Sequence, residues 1–296
     1  GCGSQLGLHG PGVPGMRLMQ SGLRKLGRRP ATWLTLGLFS GMLALIIIVV
    51  GVMATRPGMA TRPGIDAAER AAALSLVTFP IAYDAILSFM LGLGGLFAVI
   101  YGAAVAGSEW TWGTLKNAVA RGESRSRYTL LSFTAVAVVI VIGLVVTFVV
   151  GVAAALVGAG IAGVPTGGLS DAETLGRLPG QLARAWLAVS MTAALGFAIA
   201  TLARSQLAGI GAGIGLSFGE AFAGIFLPDI VKFLPFNVSR AAVETGSARG
   251  GGFGGGTQLA SLEADVALVL VALWLIGSLA VAALATERAE ISGGAG

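Results

Sequence analysis

One cysteine and one histidine occur in 296 residues, and charged side chains make up only 11%. Cys2 alone allows no intrachain disulfide and no cysteine-based zinc site. His9 sits in a Gly/Pro-rich leader, so no His-Glu-x-x-His helix can form, and the few acids make no paired-carboxylate constellation. Hydrolytic chemistry inside a membrane therefore has no apparatus here. No Gly-x-x-x-x-Gly-Lys-Ser/Thr loop is present either, which leaves no ordinary cradle for ATP phosphates. The chain is not expected to be an enzyme, or to hold a metal or cofactor of its own.

What it has instead is apolar length. Soluble domains carry about 25% charged residues, whereas this chain is 55% hydrophobic with a mean hydropathy of +0.86. A hydrocarbon core of ~30 Å needs ~20 helical residues. Charge-free runs on that scale occupy Pro30–Thr55, Ala85–Ser108, Tyr128–Ser170 and Val266–Thr286, and Ala185–Ala203 is slightly shorter. Ser205–Pro228 joins them if one acid, Glu220, is admitted. Continuous runs suit helices, because barrel strands alternate over ~10 residues. The expectation is an all-α polytopic membrane protein with six spans at about 31–54, 81–107, 129–158, 182–203, 206–227 and 263–285. Residues 1–15 are expected to be a disordered leader or an expression remnant, and 16–296 a single transmembrane domain.

Basic residues give an orientation. Arg17, Arg24, Lys25, Arg28 and Arg29 crowd the entrance to the first span, and Lys116, Arg121, Arg125 and Arg127 sit in the short second connection. The positive-inside rule places the N-terminus and that connection in the cytosol, and six spans return the C-terminus there. The net charge of +5 is explained by topology and lipid headgroups, with no nucleic acid. Within residues 16–29, Leu18, Met19, Leu23 and Leu26 fall at helical spacing, as in an interfacial amphipathic helix. Such a helix would be an elbow beside a partner, or simple topogenic charge.

The second connection is the most informative segment. It reads Glu109-Trp110-Thr111-Trp112-Gly113-Thr114-Leu115-Lys116 and continues to Arg121-Gly122-Glu123-Ser124-Arg125-Ser126-Arg127. Gly113 permits a sharp reversal, Thr114 can cap a short helix, and Leu115 and Val119 then share a face. The two tryptophans could equally mark the membrane interface, with the basic residues setting topology. The segment resembles the coupling region of type-2 ATP-binding-cassette (ABC) exporter permeases, whose second and third spans are joined by an acidic-aromatic-Gly-Thr-Leu stretch and a downstream Ser-Arg. Ala203-Arg204-Ser205 is similar to that family's inner turn, and Leu234-Pro235-Phe236-Asn237 to its outer Leu-Pro segment.

The resemblance implies a cytosolic coupling hairpin using Glu109, Gly113, Thr114, Leu115, Lys116, Val119 and Arg121. It also implies a second permease copy or a related permease, two copies of a cytosolic ABC ATPase that binds ATP and Mg, and re-entrant outer helices within Phe222–Val243, where Pro228 and Pro235 break a continuous helix. The expected setting is a prokaryotic cell membrane, and the cargo an amphipathic drug, antibiotic, lipid or peptide. A self-contained channel, an ion-coupled carrier using Glu220 and Asp84, and a non-transporting scaffold remain as alternatives.

Two further features stay open at this level. Gly211, Gly215 and Gly219 form a small-residue stripe, for a permease–permease seam or for packing within the subunit. Glu220 faces a translocation route, pairs with a cation such as Arg184, or lies near the outer surface.

Overall fold

Pro30 starts the first helix at the position where a missing N–H is harmless, and the apolar run carries it to Ala54 as α1 (Pro30–Ala54). The computed structural model describes residues 22–24, 26–55, 71, 73–114, 120, 122, 124–243 and 262–288. Within them follow α2 (Ile81–Thr111), α3 (Arg125–Ala162), a 3-10 turn (Gly167–Ser170), α4 (Ala172–Ala203), α5 (Gln206–Phe226), α6 (Pro228–Val231), α7 (Pro235–Ala241) and α8 (Ala264–Glu287). No strand occurs among the described residues. Six of these helices, α1 to α5 and α8, are long and apolar enough to cross a bilayer. In hydrocarbon that is the economical solution, since a helix satisfies its own backbone groups.

Three spans outrun the hydropathy boundaries. At 1.5 Å per residue α3 is about 57 Å long and α4 about 48 Å, against a hydrocarbon core of ~30 Å. Asp171 caps α4, accepting from the Thr174 N–H at 2.9 Å. The Thr174 hydroxyl and N–H together hold the Asp171 carboxyl below its usual range. Arg177 and Glu173 pair at 3.4 Å one turn on, and Pro179 is accommodated inside the helix. The fourth span thus begins ten residues before the expected 182, because charge ends an apolar run without ending a helix.

α2 and α4 form the centre, α5 lies on both, α8 on α4 and α3, and α1 on α3. Small residues let α2 and α4 approach closely, with Ala103, Ala193 and Ala200 wholly buried. The turn between α4 and α5 is as short as expected: Arg204 adopts a left-handed conformation (φ 51°), and Ser205 caps α5 by accepting from Ala208 N–H. Pro228 and Pro235 each open a short helix at its first turn. Residues 22–24 and 26–27 are helical, with Leu26 in the core. Leu18 and Met19 of the expected interfacial helix lie outside the described residues.

Candidate functional site

α2 ends at Thr111, and the chain reverses through Trp112 and Gly113, whose φ of 63° is one that glycine adopts without strain. A Cβ at Gly113 would meet nothing within 4 Å, so the glycine serves the turn and not a close contact. The reversal brings the Thr114 hydroxyl onto the Glu109 carboxylate, and the Tyr128 hydroxyl donates to the same carboxylate oxygen at 2.6 Å. Glu109 is only 7% exposed. It therefore ties the end of α2 to the start of α3, and its charge is turned inward. Leu115, Lys116, Val119 and Arg121 lie outside the described residues.

The tryptophans carry the tie further. The Arg29 guanidinium lies 4.7 Å over the Trp112 ring and donates to Ser108 Oγ at 3.1 Å. Arg204, from the α4–α5 turn, lies 5.3 Å over Trp110. Each cation–π contact contributes ~0.5–2 kcal/mol according to its desolvation. Across the bundle, Arg125 donates to the Glu287 carbonyl and the Ser126 N–H to the Glu287 carboxylate, both at 3.3 Å. The ends of α1, α2, α3, α5 and α8 are thus joined at one end of the molecule. Sequence reasoning missed Arg29 and Tyr128 as partners of this site, although both stand where charge meets an apolar run.

A second polar centre lies at the other end. Glu220, 2% exposed, accepts from the Phe236 N–H at 3.0 Å and from the Asn237 N–H and side-chain amide at 3.1 Å. These donors belong to the first turn of α7, so a carboxylate on α5 caps a helix sixteen residues further on. One expectation is corrected: Arg184 pairs with Asp265 at 2.7 Å and not with Glu220. Leu234-Pro235-Phe236-Asn237 is the segment that receives the carboxylate. Replacing Glu220 by Leu strands three donors, and an unsatisfied buried group costs roughly 1–3 kcal/mol. Glu220→Leu is expected to lower the thermal midpoint in detergent and expose Pro228–Ala241 to protease. Glu220→Gln, which keeps one acceptor oxygen, should fall between it and the native chain. Equal midpoints for all three would show that the cap contributes nothing.

The glycine stripe faces out of the subunit. A Cβ at Gly211, Gly215 or Gly219 would meet nothing within 4 Å, so the stripe does not pack within the subunit. Gly209 and Gly213 do, against Ala200 and Ala103 and against Val99. Gly215-Leu216-Ser217-Phe218-Gly219 spells a nucleophile-elbow pattern, yet it lies within α5 and not at a strand-to-helix turn. Asp84 lies in the first turn of α2, half-buried.

These features define an all-helical, multi-pass membrane protein with a joined polar end and a capped helix at the other. The chain belongs to a family described as a protein of unknown function, DUF2705, whose profile matches residues 65–287. No curated protein matches it.

Proposed function

We propose that this chain is the membrane-spanning permease subunit of a type-2 ABC exporter. The observation that carries the reading is the construction of the hairpin. Glu109, Thr114 and Tyr128 fix its base to α2 and α3, while Arg29 and Arg204 grip its two tryptophans from α1 and the α4–α5 turn. A push on the hairpin then reaches several spans at once, as ATP-driven closure of a partner ATPase requires. In this role Glu109, Gly113 and Thr114 set the hairpin's position. Leu115 and Val119 dock on the ATPase, and Lys116 and Arg121 tune the orientation.

The hairpin and both termini face the cytosol. Two permeases meet along the open stripe of Gly211, Gly215 and Gly219, small residues that let helices approach in lipid. The pair binds two copies of the ATPase, which supplies the site for ATP and Mg, and exports an amphipathic drug, antibiotic, lipid or peptide. α6 and α7 re-enter the outer side of the membrane, and Glu220 acts on the route by holding α7 in place.

Expressed with a candidate cytosolic ABC ATPase, the chain is expected to copurify in a two-to-two complex and, alone, to hydrolyse no ATP. A chain that purifies only by itself under conditions that preserve its fold would count against the proposal.

A further inference from the structure

A cleft of about 300 Å³ runs between α1, α2 and α3. Leu36 and Phe39, Met90 and Phe97, and Ile140 and Gly143 form its walls. From Met90 to Tyr101 the wall is about 16 Å long at 1.5 Å per residue, so the section is on the order of 20 Å². That admits one hydrocarbon chain. Trp33 and Ile142, both exposed, stand at its rim, so it opens sideways onto the apolar surface that faces lipid.

The cleft's polar end is distinct. The Thr32 and Tyr101 hydroxyls share a hydrogen bond of 3.1 Å there, and Thr32 also donates to the Leu26 carbonyl. Just beyond stands Arg29. One of its terminal nitrogens donates to Ser108, while the other is buried with no partner. Arg24 and Arg28 are exposed at the same end. Glu109, on the neighbouring helix end, turns its carboxylate to Thr114 and Tyr128 instead.

We propose that this cleft holds one acyl chain of an anionic phospholipid from the leaflet at the Arg29 end, with the lipid phosphate taken by the unpartnered Arg29 nitrogen once that side chain turns toward the headgroup. Water is a poor occupant, because it needs two to four polar partners and the walls offer almost none. A peptide segment would bring backbone groups with nothing to bond. Acyl chain is the solvent at the opening, and a basic pocket between spans selects an anionic headgroup. The site is independent of the transport proposal and would stand if that failed.

The test uses the full chain in nanodiscs containing phosphatidylglycerol with a photoreactive group on its acyl chain, against phosphatidylcholine labelled alike. Labelling is expected to concentrate on Leu36–Phe39 and Ile140–Gly143, with the anionic lipid at least fivefold ahead. A Cβ at Gly143 would touch only Leu36, at 3.7 Å, so Gly143→Leu grows into the cleft and should cut labelling there about tenfold with the fold retained. Ile142→Trp closes the rim and serves if Gly143→Leu does not fold. Arg29→Gln should leave labelling in place but erase the preference for the anionic lipid. Equal labelling by the two lipids in the native chain, undiminished labelling in both blocked variants, or full displacement of the lipid by a neutral amphiphile would overturn the proposal, the last marking the cleft as a cargo entrance.

Discussion

A single methyl group at Gly102 or Gly196 is expected to unseat α2 from α4. A Cβ at Gly102 would lie 2.1 Å from the Ala193 carbonyl oxygen, and one at Gly196 would lie 2.1 Å from that of Val99. Both obstacles are backbone, so no side chain can rotate to relieve them, and the two contacts fall on one helix crossing. Ordinary overpacking of a core costs about 1–3 kcal/mol. Here the helices must part, and in lipid they are held largely by close packing, without a hydrophobic drive between spans. Gly102→Ala and Gly196→Ala should therefore exceed that range, giving aggregated protein or a thermal midpoint far below the native one. Gly211→Ala and Gly215→Ala supply the contrast. Measured on the separated subunit in detergent, where the space around them is open, they should melt like the native chain. A Gly102→Ala protein with a native midpoint would refute the α2–α4 crossing.

The second large effect belongs to the hairpin. On the proposed function, Leu115→Asp with Val119→Asp should weaken association with a partner ATPase by tenfold or more, while leaving a folded chain in the membrane. Burying a leucine contributes roughly 1.5–3 kcal/mol, whereas exposed ion pairs contribute ~0–1 kcal/mol. The apolar pair should thus dominate docking, with Lys116 and Arg121 tuning orientation. Folding is expected to survive because the ties that organise this end run through Glu109, Thr114, Tyr128 and Arg29. Normal association and transport by the double variant would move the coupling surface elsewhere.

Much of this architecture is written in local chemistry. Apolar runs mark the spans, Asp171 and Ser205 mark helix starts, Gly113 marks a reversal, and Pro228 and Pro235 break the chain after α5. Three matters are not local. Span length is one, since α3 and α4 continue as helices past the point where hydropathy falls. The glycines of α5 are another: Gly209 and Gly213 are offset by two residues from Gly211, Gly215 and Gly219, which puts the two sets on nearly opposite faces. Periodicity cannot say which set packs, and only the neighbouring helices decide it. The partners of Glu220 are the third. An acid in an apolar run signals a buried partner, but the donors here are mainly backbone N–H groups, which any sequence carries and no residue type announces.

Cargo movement in proteoliposomes tests the central claim most directly. On the proposed function, the chain reconstituted with a partner ATPase should carry a labelled amphipathic probe across the bilayer only when ATP and Mg are supplied on the hairpin side, with no response to an imposed proton or sodium gradient. Permease reconstituted alone should be inert. Transport by the chain alone, driven by an ion gradient and indifferent to ATP, would contradict the account.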